Sequence, residues 1–302
     1  MKKLWLIFLF AVIVSAQTVT VTETKAVTTS DQGAFGHPFC SPDGKLFFTS
    51  PNFVGLYYLD GTNNIITVSD KPGAGYMPAF SKDGAFVYYK PYIYKNARKF
   101  SSLVKQSLTT GQQEILISEQ RNFSNPQVLS TGQVSVKTET GLNTFEPSQK
   151  TVSVNYTPVA FVENSKIALF SNGQKKLLEP LGEGHYIWPS VSPDGTKLLF
   201  VKAGNGTYIS DLQGNILADL GYANAPHWSP DGKWIVFMDD KDDGHRLLSS
   251  DIYVISADGK IKFPITASSD RIEIYPDWGK DGQTIYYSST EDIIYKSKIE
   301  IK

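Results

Sequence analysis

Four histidines and one dense run of carboxylates carry the most obvious chemistry in this 302-residue chain. His37 and His227 each adjoin a proline, and His185 lies shortly before another, Pro189. Histidines that converged on one point could hold a divalent metal or move a proton. Their spacing matches no ligand motif, so ordinary hydrogen-bonded histidines are the simpler reading. Asp239-Asp-Lys-Asp-Asp-Gly-His245 is the acidic run, and carboxylates such as Asp240 and Asp242 ahead of a glycine could hold Ca²⁺. The spacing of a helix–loop–helix calcium site is absent and no Glu closes the loop. A solvated acidic loop is therefore expected, with no cofactor and a divalent metal as the one candidate.

Five further acids, Asp43, Asp83, Asp194, Asp231 and Asp281, each precede a glycine. An Asp-Gly pair is turn chemistry: Asp bonds its own backbone and Gly takes a positive φ. These acids are expected to be structural. No Gly-x-Ser-x-Gly elbow, phosphate loop, His-Glu-x-x-His or paired-Cys motif is present, and no catalytic residue is assigned.

The elements that must position these groups repeat along the chain. Trp188-Pro-Ser-Val-Ser-Pro-Asp-Gly195 leads into Thr196-Lys-Leu-Leu-Phe-Val201, a strand, a tight turn and a second strand. The phrase returns at Pro38, Pro78, Pro226 and Pro276, each with Gly six residues later. Weaker copies start at Pro126, which keeps the Gly, and Pro158, which has Asn164 in its place. Asn best replaces Gly at positive φ. Seven Pro-marked repeats of about four short strands are the signature of β-propeller blades.

The phrase resembles the TolB-like family of WD-like propeller repeats, over residues 17–302. The resemblance implies an all-β, single β-propeller, and it is weak for function, since such repeats occur in binding proteins, peptidase accessory domains and some polysaccharide lyases. Repeats three and four are short, and three strands are expected for repeat four. Seven blades are the first expectation, and six, with residues 118–184 as one irregular blade, the alternative. The last repeat lacks a strand, whereas Val19–Val27 is a spare one before the first Pro phrase. The N-terminal strand is expected to complete the last blade and close the ring.

Residues 1–16 read as a signal peptide, with Lys2 and Lys3, an apolar run from Leu4 to Val14, and small residues at Val14-Ser-Ala16. The expectation is a periplasmic or secreted protein without a transmembrane segment after cleavage. Loss of both lysines would take the formal charge from −1 to −3, with no basic excess for nucleic acid. The lone Cys40 shares its repeat position with Phe80, Val191, Trp228 and Trp278 and reads as a small buried hydrophobe.

Propeller geometry puts the Pro-Asp-Gly turns on one face and the long connections on the other, where function usually resides. His37, Tyr76, Trp188, His227, Tyr275 and Asp277 fall within two positions of an innermost-strand proline and are expected at the channel mouth. Tyr92, Tyr94 and Arg98 from one long loop, and Asp240, Asp242 and His245 from another, are expected to form a charged rim. The expected function is non-enzymatic binding of a protein or peptide by a monomer. The alternative is a carbohydrate-active protein that cleaves or binds a glycan at the mouth.

Overall fold

Each Ser-x-Asp-Gly turn folds as its residue types dictate. Gly44, Gly84, Gly195 and Gly232 have φ of 91°, 69°, 75° and 69°, and each donates its N–H to the carbonyl of the serine three residues earlier. The Asp carboxylates are used inside their own turns. Asp194 accepts from the Ser192 hydroxyl and from Thr196, and Asp231 accepts from the Ser229 hydroxyl and the Lys233 N–H. The structural reading of the turn acids holds.

The computed structural model describes residues 17–129, 132–145 and 158–302. The signal segment lies outside them. Seven antiparallel sheets form the blades of a ring. Blade 1 comprises Gly36–Cys40, Leu46–Thr49, Val54–Leu59 and Ile65–Pro72. Blade 2 comprises Ala79–Phe80, Phe86–Tyr89, Arg98–Ser107 and Gln113–Gln120, with Tyr92–Lys95 folded back on the third strand. Blade 3 comprises Gln127–Val128, Val134–Thr138 and Gly141–Phe145, and blade 4 Val159–Glu163, Lys166–Ser171 and Gln174–Leu178. Blade 5 comprises Tyr186–Val191, Lys197–Lys202, Gly206–Asp211 and Ile216–Gly221. Blade 6 comprises Asn224–Trp228, Trp234–Asp242, Leu247–Ser256 and Lys262–Pro264.

Blade 7 comprises Glu273–Trp278, Thr284–Ser289, Ile294–Ile301 and, from the other end of the chain, Val19–Ala26. Val19 pairs with Ile301 and Ala26 with Tyr295, so the N-terminal strand closes the ring as expected.

The core shows why the six-blade alternative fails. Alternate side chains of a strand point to opposite faces. In blade 2, Val87 and Tyr89 pack against Phe47 and Leu56 of blade 1, while Tyr88 packs with Val134 and Val136 of blade 3. Each of seven buried clusters spans one pair of neighbouring blades, including Leu129 with Val159 and Phe161 between blades 3 and 4. Residues 118–184 therefore hold two separate blades.

Blade 4 departs from the repeat rule. A three-stranded blade leaves the chain on the face opposite the one where it began. Blade 4, by the contacts of its described residues, starts on the turn face and runs upside down. The end of its first strand confirms this. Glu163 pairs with Lys137 at 3.4 Å, and Lys137 is held at the long-loop end of blade 3 by Ser124. Ser165 accepts the N–H of Tyr186, where blade 5 begins on the long-loop face. Asn164 and Ser165, with φ of 50° and 65°, form a tight two-residue hairpin. Asn does replace Gly at positive φ, but its turn lies on the opposite face from the Pro-Asp-Gly turns. Three strands in blade 4 restore the original polarity for blade 5.

Candidate functional site: the long-loop mouth of the channel

An innermost strand can expose a side chain only to the channel or its mouths. Met77, Trp188 and Tyr275 stand directly before an innermost-strand proline and are all exposed. They share an unusual backbone. His37, Met77, Trp188, Ala225 and Tyr275 all have φ between 45° and 52°. A residue before proline is normally extended, and a positive φ for a bulky residue costs on the order of 1–3 kcal/mol. The cause is a repeated bulge: strand register slips between Gly36 and Phe39, Ile187 and Ser190, Asn224 and His227, and Ile274 and Asp277. The extra residue turns the pre-proline side chain out of the sheet and towards the mouth.

Two of these residues head a row of rings. Tyr275 lies 4.1 Å from His37, His37 lies 4.2 Å from Phe53, and Phe53 meets Tyr76 edge-on at 4.9 Å. The row joins blade 7, blade 1 and the connection to blade 2. Burial depresses the pKa of His37 to about 4, so its ring is neutral and packs as an aromatic. Met77 continues the edge, its sulfur accepting from the Asn125 amide at 3.3 Å. Trp188 shares no ring contact with the row among the described residues, and it stands alone on blade 5.

Below the row lies one ion pair. His227 Nδ1 is 3.4 Å from Asp277 Oδ1, and Asp277 Oδ2 accepts the backbone N–H of Cys40 at 3.1 Å. The Trp278 indole N–H donates to the His227 carbonyl at 3.2 Å. Blades 6, 7 and 1 are thus tied at one level. His227 is enclosed by the ring, yet 53% of its side-chain surface stays open to the channel. Enclosure opposes its charge, but the Asp277 carboxylate outweighs that and raises its pKa.

The expected rim is built from two hairpins. Tyr92 and Tyr94 pack edge-on at 5.6 Å, Lys99 sits 3.9 Å over the Tyr92 ring, and Arg98 pairs with Lys95 beside the turn. Across the ring, Asp240 accepts from the Tyr222 hydroxyl and the Asn224 amide, both at 3.0 Å. Asp242 caps the Gly244 N–H, and Asp243 caps those of His245 and Arg246. These carboxylates are used in local bonds and do not converge. Among the described residues no three His, Cys, Asp or Glu side chains group as metal ligands. His185 instead bonds the Ser165 hydroxyl at 2.8 Å, beside a cavity of about 450 Å³. Cys40 packs as a partly buried hydrophobe, with burial raising its thiol pKa far above the ordinary value.

Of the residues that sequence reasoning put at the mouth, His37, Tyr76 and Tyr275 lie in the row and His227 and Asp277 form the pair, and it missed Phe53, Met77 and Ala225. The immediate pre-proline position was the available signal for Met77 and Ala225. Phe53, at φ 57° in a short loop, had none.

No family model matches the chain, and no curated protein matches it in sequence. Solved structures do resemble it. TolB from Acinetobacter baumannii aligns with a TM-score of 0.51 at 18% identity, covering 81% of this chain and 57% of that one. A streptogramin B lyase aligns at 0.59 and 18% identity over 95% and 98% of the two chains. A chain of the mitotic checkpoint complex aligns at 0.63 and 9% identity over 96% and 98%. At these identities the likeness is one of fold. TolB among the neighbours fits the resemblance carried by the repeats. No described helix is long and apolar enough to cross a membrane.

Proposed function

We propose that this chain is an exported, non-enzymatic β-propeller that binds a protein or peptide partner at its long-loop mouth. One observation carries the reading: exposed large apolar side chains gather at that mouth. Tyr76, Met77, Val162, Trp188, Tyr222 and Tyr275 come from blades 2, 4, 5 and 7 and the connection into blade 6. The opposite face presents turn residues such as Lys45, Asp83, Lys233 and Lys280 instead. Clustered exposed aromatics in a concavity are the residue type and setting that anchor partners. The strained backbone that presents three of them supports a binding role, because such strain is retained where it serves function.

The test is capture of partners from an envelope extract by the full chain. Trp188→Ala and Tyr275→Ala are expected to lose the partner, while Lys45→Ala and Lys280→Ala retain it. Loss confined to the lysine variants would refute the assignment of faces. Export is checked by intact mass, with Gln17 expected as the first residue of the processed form.

A further inference from the structure

The apolar mouth has one charged pair at its floor, and the pair is asymmetric. In the blades that start on the long-loop face, the residue after the innermost proline is Phe39, Ala79, Gln127, Ser190, His227 or Asp277, and of these only His227 and Asp277 can carry charge. Asp277 is committed on both oxygens, to His227 Nδ1 and to the Cys40 N–H. With Nδ1 facing a carboxylate, the second ring nitrogen of His227, Nε2, is the one left for the channel.

The state of that nitrogen depends on a proton. When the imidazole is charged, Nε2–H is a donor and the pair has no net charge. When it is neutral with its proton on Nδ1, Nε2 is an acceptor and the pair carries Asp277's negative charge. The first state suits an incoming carboxylate, and the second repels it.

We propose that His227 is a specificity-determining residue for the carboxylate of an apolar peptide seated in the mouth, engaged only when His227 is protonated. The inference rests on the peptide-binding reading above and names the group that the floor recognises. Asp277 acts as a positioning residue, fixing the ring and favouring its charged form. On blade 7, burial raises the carboxyl pKa of Glu273, which accepts from the Ser268 hydroxyl, and pushes that of Tyr286, opposite Asp277, up to about 12. From blade 1, burial holds the Cys40 thiol protonated, and His37 stays neutral down to about pH 4. Blade 5 contributes the untitratable Ser190, and Val236 lies opposite His227 within blade 6.

The experiment uses an array of apolar and aromatic hexapeptides. Each is made three ways: with a free C-terminal carboxylate, with a C-terminal amide, and amidated with one internal Glu. The full mature chain is bound at pH 5.5 and pH 8. The expected result is retention of carboxylate forms at pH 5.5, with affinity falling about tenfold per pH unit once His227 is mostly neutral. Amide forms should show no such slope. His227→Gln, which keeps an N–H donor that does not titrate, should flatten the profile, and Asp277→Asn should move it to lower pH. Melting curves of both variants establish that they fold. Preference for the C-terminal acid or for the internal Glu tells which source the site takes, and either supports the proposal. Peptides that bind through Trp188 but do not distinguish acid from amide would overturn this inference and leave the binding reading intact. Binding by no peptide at either pH would overturn both. A slope that survives in His227→Gln would assign the proton elsewhere and sink the proposal.

Discussion

The rings of His37 and Tyr275 lie 4.1 Å apart although they belong to the first and last repeats of the chain. Both stand before a proline, both have φ near 50°, and ring closure alone brings them together. Mouth and closure meet at this seam, where the His37 N–H also donates to the Ser288 hydroxyl of blade 7 at 2.8 Å.

Removal of Val19–Ala26 should expose the free edge of Ile294–Ile301 and uncover Ile299. The loss should reach several kcal/mol, a large part of a typical stability of about 5–15 kcal/mol. Thermal melts of the truncated chain check this, and an unchanged midpoint would contradict the closure seen here.

A smaller change probes the same seam. The buried Thr28 hydroxyl accepts the Ile294 N–H at 2.9 Å. Thr28→Val keeps the shape and strands that donor, so a loss of about 1–3 kcal/mol is expected in urea unfolding. Thr28→Ser should keep most of the stability.

At the mouth, Met77 is exposed and has φ 49°. Met77→Gly should be neutral or slightly stabilising, whereas Met77→Val should lose roughly 1–3 kcal/mol, because a β-branched residue tolerates positive φ worst. Equal melting temperatures for the two would deny the strain. Partner binding should fall in both.

The two channel histidines should bend the pH profile of stability in opposite directions. The pKa of His37 is depressed from 6.5 to about 4. The unfolded chain therefore takes up a proton first, and stability is lost as pH falls from about 6.5 towards 4. The pKa of His227 is raised, so its contribution is full below 6.5 and lost as pH rises through its folded value. Urea midpoints between pH 4 and 8 should show His37→Phe flattening the acid limb and His227→Gln flattening the other.

The inverted blade is tested by proximity. In a Cys40→Ala background, Ser165→Cys with His185→Cys should join readily through a short bis-maleimide, since the native side chains are 2.8 Å apart. Ser165→Cys with Pro193→Cys, across the ring's thickness, should not.

Much of the fold was legible because Pro, Asp and Gly at fixed offsets act locally. A turn that needs Gly195 at φ 75° announces itself in any context. The spare N-terminal strand was legible by counting. The strained mouth was not, because a residue before proline reads as extended and only the bulge makes Trp188 otherwise. Blade 4 was misread for a different reason. Its three strands were legible, but Pro158 and Asn164 satisfy the local rule in either direction, so the way they run was not. His227 and Asp277 were placed at the mouth by the repeat, but nothing in their spacing said that they would touch each other.

The inverted three-stranded blade has a further consequence. Strand number in this ring obeys a parity rule, much as a reading frame does. One blade with an odd count leaves every later blade back to front, with its turns among the long connections. The three strands of blade 4 repair the frame for blade 5. Shortening or lengthening the ring by whole strands is therefore tolerable only in pairs, and the inverted stretch, here Val159–Leu178, presents to the mouth a surface that in every other blade faces the opposite way.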